Sequence, residues 1–128
     1  MRVLLASHAF LWWIGDDPRL SPGAREVIAE GDNEVFFSTA SAWELAIKSS
    51  LGRLRMPADF ERFVTDQVDL NGFSVLPVQL SHALRVHGLP PHHKDPFDRM
   101  LIAQALVEDM PLVSRDRRLA GYGVRLVW

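Results

Sequence analysis

The chain has 128 residues, of which 48% are hydrophobic and 23% charged, and its formal net charge is −2. This length predicts one compact domain over residues 1–128, and the composition is typical of a folded globular protein and excludes a largely disordered one. The absence of cysteine excludes disulfides and thiolate metal sites and makes the cytoplasm the default location, while the acidic balance disfavours non-specific nucleic-acid binding through basic charge.

The first half of the chain is predicted to alternate buried strands with helices. Ser21 before Pro22 has the pattern of an N-cap followed by proline at the first helical position. Ser41 and Glu44 have the spacing of a capping box, which predicts a helix start at Ser41. In chain order we expect a strand at Val3–Leu5, helices at His8–Ile14 and Pro22–Ile28, a strand at Glu34–Ser38, and a helix from Ser41 to Gly52.

The second half continues the alternation. Asp95 followed by Pro96 is a strong helix start, and good helix formers follow it. In chain order we expect a helix from Pro57 to the Asn71-Gly72 turn, an edge strand at Phe73–Val78, a short helix capped by Ser81, a rigid loop at residues 88–94, the long helix, a strand at Leu112–Val113, a helical turn at Arg117–Ala120, and a last strand at Val124–Val127.

Strands that alternate with helices predict an α/β fold with a central, mainly parallel sheet flanked by helices. In such open sheets, ligands bind beyond the carboxyl ends of the strands. Ala6 follows the first strand and Asp116 follows the fourth, so both are expected at that rim. The longest apolar stretches are far shorter than the roughly 20 residues that cross a bilayer, and we therefore expect no membrane span.

Acidic residues are the main candidates for chemistry. Glu44 and Asp98 lie near helix starts, and together with Asp116 they could face one rim of the sheet. Close carboxylates repel one another unless a cation or protons compensate. Oxygen ligands favour hard divalent ions. The set therefore predicts a site for Mg²⁺ or Mn²⁺, which would hold a phosphate and activate water.

Each of these acids also has a purely structural interpretation. Glu44 could complete its capping box or pair with Lys48 four residues later. Asp98 stands at the third position of its helix, where the helix dipole favours an acid. Asp116 could bond its local backbone or pair with a neighbouring arginine. The sequence leaves these alternatives open.

Several other signals favour structural roles. The histidines at 87, 92 and 93 match no usual zinc spacing, which favours surface positions. Tryptophans at 12, 13 and 43 are expected in the core or at a subunit interface rather than as base-stacking platforms. No glycine-rich phosphate loop of the usual patterns occurs, which disfavours nucleotide-binding enzymes built on such loops.

Four blocks in order carry a family resemblance, with the Asp-Pro-Phe-Asp-Arg segment at 95–99 the most diagnostic. They are Leu4–Trp13, Ser38–Lys48, Leu89–Ala105 and Leu112–Asp116. Over nearly its whole length the chain resembles PIN-domain ribonuclease toxins of the VapC type, which belong to toxin–antitoxin pairs. The resemblance implies a PIN-like three-layer fold and an endoribonuclease that depends on Mg²⁺ or Mn²⁺.

The resemblance also implies which residues form the site. Glu44, Asp98 and Asp116 match the family's second, third and fourth acids as catalytic and metal-binding residues. Its first acid falls on Ala6, which has no side-chain oxygen, so the resemblance implies an impaired enzyme. The secondary site candidates are Ser7, Asp95 and Ser114, and the candidates for contact with the RNA backbone are Arg99, Arg115 and Lys48.

The partners implied by the resemblance are a cognate antitoxin, an RNA substrate and a second copy of the chain in a homodimer. The first alternative is a non-catalytic PIN-like module that retains antitoxin or RNA binding. The second is an unrelated phosphatase-like α/β domain, which would act on small phosphate esters.

Overall fold

A computed structural model describes residues 1–128. Five strands form one sheet in the order β3-β2-β1-β4-β5, and all four neighbouring pairs are parallel. The predicted α/β fold is therefore confirmed, with a sheet that is parallel throughout. The strands are β1 (Arg2–Leu5), β2 (Glu34–Ser38), β3 (Ser74–Leu76), β4 (Leu112–Val113) and β5 (Leu126–Val127).

The connections between the strands contain helices, which are the usual form of the crossover that parallel pairing requires. None of these helices combines the length and apolar character that crossing a membrane requires. The helices are α1 (Ser7–Ile14), α2 (Pro22–Ala29), α3 (Thr39–Ser50), α4 (Phe60–Leu70), α5 (Leu80–His87) and α6 (Pro96–Glu108), followed by a 3₁₀ helix (Arg117–Tyr122).

The core lies on both faces of the sheet around β1. Val3, Leu4 and Leu5 are fully buried although their side chains alternate between the faces. Ile102 on α6 and Phe10 on α1 are also inaccessible to solvent. A central parallel strand that is covered on both faces consists of consecutive apolar residues. This explains why β1 is recognisable in the sequence.

The strand order places a topological switch point beside β1. From β1 the chain adds β2 and β3 on one side, and then crosses to add β4 and β5 on the other. The Ala6 N–H donates to the Val113 carbonyl at 3.0 Å, so the end of β1 lies beside the end of β4. Ligands of open α/β sheets bind in this kind of crevice.

The start of α3 differs from the sequence prediction. Ser38 is its N-cap, and the Ser38 hydroxyl accepts the Ala40 N–H at 3.0 Å. Helix α3 therefore begins at Thr39, directly after β2, and not at Ser41. Ser41 lies inside the helix and is fully buried. The predicted capping box is wrong because the chain passes from strand to helix without a loop.

The starts of α4 and α5 also lie elsewhere than predicted. The Asp59 side chain caps α4, so this helix begins after Pro57 rather than at it. The cap of α5 is Gln79 rather than Ser81. The Gln79 N–H donates to the His82 ring at 3.0 Å, and this interaction fixes the first turn.

A buried polar network joins the helices that flank the sheet. The Ser38 hydroxyl donates to Gln104 Oε1 at 2.5 Å, and Gln104 Nε2 lies 3.4 Å from His82 Nδ1. All three side chains are fully buried. His82 Nε2 then lies 3.0 Å from a Glu108 oxygen. The network fixes the start of α3 against the middle of α6.

Candidate functional site

The end of β1 carries no acid in this chain. Ala6 is 2% exposed and precedes α1 as its N-cap. Ser7 follows, and its Oγ lies 2.6 Å from Glu44 Oε1 and 3.0 Å from Ser41 Oγ. A carboxylate can only accept, so the Ser7 hydroxyl donates to Glu44 and accepts from Ser41. Ser7 therefore orients the glutamate from the next helix.

Glu44 lies on α3 and is 6% exposed. Its second oxygen accepts from the Lys48 ammonium at 2.5 Å. This hydrogen bond raises the pKa of Lys48 above its ordinary value, and burial partly opposes the effect. The predicted helical ion pair is confirmed, whereas the predicted bond from Glu44 to the Ser41 backbone is replaced by the contact with Ser7.

Asp98 lies in the first turn of α6, where it was predicted. The Asp95 side chain caps this helix by accepting the backbone N–H groups of Phe97 at 2.8 Å and Asp98 at 3.1 Å. Burial raises the pKa of the Asp98 carboxyl, the negative charge of Asp95 adds to that rise, and the hydrogen bond with His93 opposes it. Ser7, Glu44, Asp95 and Asp98 line one cleft of about 380 Å³.

Asp116 follows β4 and is the N-cap of the 3₁₀ helix. Its carboxylate accepts two hydrogen bonds from the Arg118 guanidinium at 2.9 and 2.8 Å. This contact lowers the pKa of Asp116, and partial burial opposes the shift. Its backbone N–H donates to the buried Ser114 hydroxyl at 3.1 Å. The predicted pairing with an arginine is present, and Ser114 shapes the turn that presents the acid.

Two histidines belong to this rim although the sequence did not indicate them. His93 Nε2 lies 2.8 Å from Asp98 Oδ2 and 3.9 Å from Asp116 Oδ2, so the predicted surface position is wrong for His93. His8 Nε2 accepts the Arg115 N–H at 3.0 Å. Burial lowers the pKa of His8, which keeps it a neutral acceptor. The only available signal for His93 was its place five residues before Asp98.

The predicted acids are thus brought together at the switch point. Asp98, Asp116 and His93 form a group whose ligand atoms lie within 4.8 Å of one another, and Glu44 stands outside this group but shares the cleft with Asp98. Carboxylate oxygens suit a divalent cation, so the residues fit one. The set lacks the oxygen that a carboxylate at Ala6 would add, and Lys48 and Arg118 already neutralise part of its charge.

The basic candidates for RNA contact differ in availability. The Arg99 guanidinium donates to the carbonyls of Pro90 at 2.9 Å and Val86 at 3.3 Å. Arg99 therefore anchors the 88–94 loop. Because its guanidinium is engaged there, it is not free to contact a phosphate. Lys48 is bound to Glu44. Arg115 remains exposed beside the acids.

An apolar cavity of about 590 Å³ lies beside the acidic cleft, between α3, α5 and α6. Trp43 lines it, is 64% exposed and packs edge-on against Phe97 with ring centroids 5.3 Å apart. The sequence predicted that Trp43 lies either in the core or at a subunit interface. The core position is wrong, and the interface position stays a prediction. Trp13 is partly buried, and its ring N–H donates to Asn71 Oδ1 at 2.8 Å.

Comparison with known proteins identifies the family. The family model of the PIN domain matches residues 3–124. The chain belongs to the PIN-domain family. This PIN domain is 28% identical to Ribonuclease VapC22 of Mycobacterium tuberculosis over 94% of its own length and 91% of that protein. It is 35% identical to Ribonuclease VapC16 of the same organism, over 55% of its length and 51% of that protein. The predicted resemblance to VapC-type PIN domains is confirmed.

Solved structures show the same fold. The PIN domain aligns with VapBC2 from Rickettsia felis, solved bound to a promoter DNA fragment, with a TM-score of 0.71, 15% identity, and coverage of 98% of this chain and 97% of that one. It aligns with VapBC-1 from nontypeable Haemophilus influenzae with a TM-score of 0.64, 15% identity, and coverage of 98% and 96%. At these identities the likeness supports the fold alone.

Proposed function

We propose that this PIN domain is the toxin of a toxin–antitoxin pair, built as an Mg²⁺- or Mn²⁺-dependent endoribonuclease and strongly impaired in hydrolysis by Ala6. The observation that carries the proposal is that Asp98 and Asp116 approach each other at the switch point of a parallel sheet, while Glu44 lines the same cleft as Asp98. The names of the curated relatives, both ribonucleases of the VapC type, supply the substrate class.

Each residue has a role in the proposed reaction. Glu44 and Asp98 would hold the divalent ion, and Asp116, which lies close to Asp98, would either ligate the ion or orient the attacking water. The ion, when bound, supplies Lewis-acid activation of water and charge stabilisation on the phosphate. Ser7 keeps the Glu44 carboxylate directed into the cleft. Arg115 is the cation positioned to meet the RNA backbone.

Two features weaken this site. Ala6 supplies no carboxylate at the end of β1, beside Ser7 and the turn after β4. The remaining acids are compensated from within the protein, by Lys48 on Glu44 and Arg118 on Asp116. Metal affinity and turnover both fall as a result.

The internal compensation favours one second candidate, a non-catalytic module that binds an antitoxin or RNA. Because these acids are already paired with basic side chains, the protein does not need a metal to stay folded. The fold and its binding surface therefore persist even when hydrolysis is lost. This alternative differs from the main proposal in one respect: restoring the carboxylate at position 6 would not restore cleavage.

The proposed partner is a cognate antitoxin that covers the apolar cavity and reaches the acidic cleft. The exposed Trp43 and the adjacent carboxylates suit a segment with apolar side chains followed by a basic one. Structures of VapBC complexes share the fold, which supports a partner of this kind. The homodimer and the cytoplasmic location stay predictions.

The test is to restore the missing carboxylate. We expect Ala6→Asp to cleave single-stranded RNA in Mg²⁺ or Mn²⁺ at least about 100-fold faster than the present chain, because loss of even outer-shell partners of a metal costs about 10- to 100-fold. A fluorogenic RNA of mixed sequence measures the rate, and EDTA defines the background.

Two variants control for size and chemistry. Ala6→Asn has nearly the same shape as Ala6→Asp but no charge, and it should remain close to the present chain. Ala6→Asp combined with Asp98→Asn should lose the restored activity. A folded Ala6→Asp protein that is inert on RNA would support the binding module, and activity on small phosphate esters alone would support the phosphatase-like alternative.

A further inference from the structure

His93 is the one rim residue with a nitrogen ligand directed at two carboxylates. Its Nε2 lies 2.8 Å from Asp98 Oδ2 and 3.9 Å from Asp116 Oδ2. We propose that His93, Asp98 and Asp116 bind a borderline transition-metal ion such as Zn²⁺ or Co²⁺, with the His93 nitrogen as a direct ligand, and that this chain prefers such an ion to Mg²⁺.

The spacing of the three atoms fits a common metal. Bonds from oxygen or nitrogen to such an ion are about 2.1 Å long, so ligands of a tetrahedral ion stand about 3.4 Å apart, and those of an octahedral ion about 3.0 Å apart when adjacent and about 4.2 Å when opposite. The two separations from Nε2 lie close to this range, and all three atoms fall within 4.8 Å of one another. Small rotations of side chains suffice to close the site.

The ligand types decide which ion is preferred. An imidazole nitrogen suits zinc, cobalt and nickel, whereas Mg²⁺ prefers oxygen ligands alone. A carboxylate at position 6 would add an oxygen and favour Mg²⁺, but Ala6 supplies none. With fewer carboxylates around the ion, the His93 nitrogen is a larger fraction of its ligands in this chain than it would be if residue 6 were also an acid.

Neighbouring contacts permit the change that binding requires. The Lys94 N–H donates to His93 Nδ1 at 3.1 Å, so Nε2 carries the proton in the metal-free protein and donates it to Asp98. Metal binding releases the Nε2 proton to solvent, and Nδ1 takes one up from solvent. The Lys94 N–H then loses its acceptor on the ring and must bond water instead. Both Asp116 oxygens accept from Arg118, Oδ1 at 2.9 Å and Oδ2 at 2.8 Å, so the ion takes a remaining lone pair of Oδ2.

The proposal deepens the proposed nuclease site, but its test does not depend on cleavage. Calorimetry on the intact, EDTA-treated and dialysed chain measures Zn²⁺, Co²⁺ and Mg²⁺ binding without RNA. We expect one Zn²⁺ or Co²⁺ per chain, bound at least about tenfold more tightly than Mg²⁺. An Ala6→Asp variant that does not cleave RNA would refute the proposed nuclease function but would not affect the metal-binding result. Equal affinities for the three ions would overturn the metal preference alone.

Variants assign the ligand. His93→Ala should weaken Co²⁺ binding by at least about tenfold and change Mg²⁺ binding by less than about twofold. His92→Ala is the matched control, because the neighbouring ring packs against Tyr122 with centroids 5.2 Å apart and is exposed. His93→Gln provides a second variant should the alanine protein fail to fold. Equal Co²⁺ affinities in the His92 and His93 variants would overturn the assignment.

A spectroscopic measurement on the unaltered chain needs no variant. Nitrogen-15 NMR of the His93 ring should show a proton on Nε2 without metal, and a metal-bound Nε2 with a protonated Nδ1 after addition of one equivalent of Zn²⁺. A His93 ring that keeps its Nε2 proton in saturating Zn²⁺ would overturn the proposal, even if the ion binds elsewhere on the chain.

Discussion

Removing the buried hydrogen bond between Ser38 and Gln104 tests how the helices that carry the acids are held together. Ser38→Ala removes the cap of α3, worth about 1 kcal/mol. It also leaves the fully buried Gln104 Oε1 without its 2.5 Å donor, which costs about 1–3 kcal/mol. The expected loss is about 2–4 kcal/mol, or a fall in Tm of about 8–16 °C for a domain of this size.

The double-mutant cycle separates the hydrogen bond from the cap. Gln104→Met leaves the Ser38 hydroxyl without an acceptor and should cost about 1–3 kcal/mol. Replacing both partners by apolar groups leaves neither polar group without a partner. The stability loss of the double variant should therefore be smaller than the sum of the two single losses by about 2 kcal/mol. Urea denaturation followed by circular dichroism gives the free energies of unfolding, provided that the m-values agree.

Ser50→Ala is the control, because that exposed hydroxyl donates only to the Ile47 carbonyl and its loss should change stability by less than about 0.5 kcal/mol. Additive losses in the cycle, to within about 0.5 kcal/mol, would contradict the interpretation. Ser38 and Gln104 would then stabilise the fold separately, and their contact would not fix α3 against α6.

Two further predictions concern Asp98 and a close approach near the C-terminus. Burial raises the folded pKa of Asp98 above 3.8, so ionisation of Asp98 costs stability as the pH rises from its unfolded pKa through its folded pKa. With EDTA present, thermal unfolding should show Asp98→Asn to be more stable than the parent at neutral pH and without advantage near about pH 3; an equal Tm at neutral pH would contradict this. A Cβ on Gly23 would stand 2.7 Å from the Trp128 carbonyl oxygen, whereas one on Gly31 meets nothing within 4 Å. Calorimetry should show Gly23→Ala to be less stable by about 1–3 kcal/mol and Gly31→Ala unchanged, and equal stability of the two would refute the clash.

Features that depend on neighbouring residues were predictable from the sequence. The helix start at Asp95 and Pro96, the position of Asp98 in its first turn and the ion pair from Glu44 to Lys48 all depend on contacts within four residues. The alternation of apolar strands with helices predicted the parallel sheet, because the connections of parallel strands must cross over. The family resemblance indicated which of the acids, Glu44, Asp98 and Asp116, match the site residues of the family.

The tertiary structure decided which groups meet at the rim. Ser7 reaches Glu44 across 37 residues of sequence, and His8 reaches the Arg115 backbone across 107. Such contacts depend on β1 lying between β2 and β4, which no local pattern specifies. The same strand order brings His93 and Asp98 on one side to Asp116 on the other.

The sequence by itself therefore determined the elements and the identity of most acids, because caps, turns and hydrophobic periodicity act over a few residues. Only the folded chain decided that Ser41 is buried behind Ser7, that Arg99 anchors a loop, and that His93 stands between two carboxylates. The physical reason is that side-chain hydrogen bonds are short and directional, so their partners are fixed by the packing of distant segments and not by spacing along the chain.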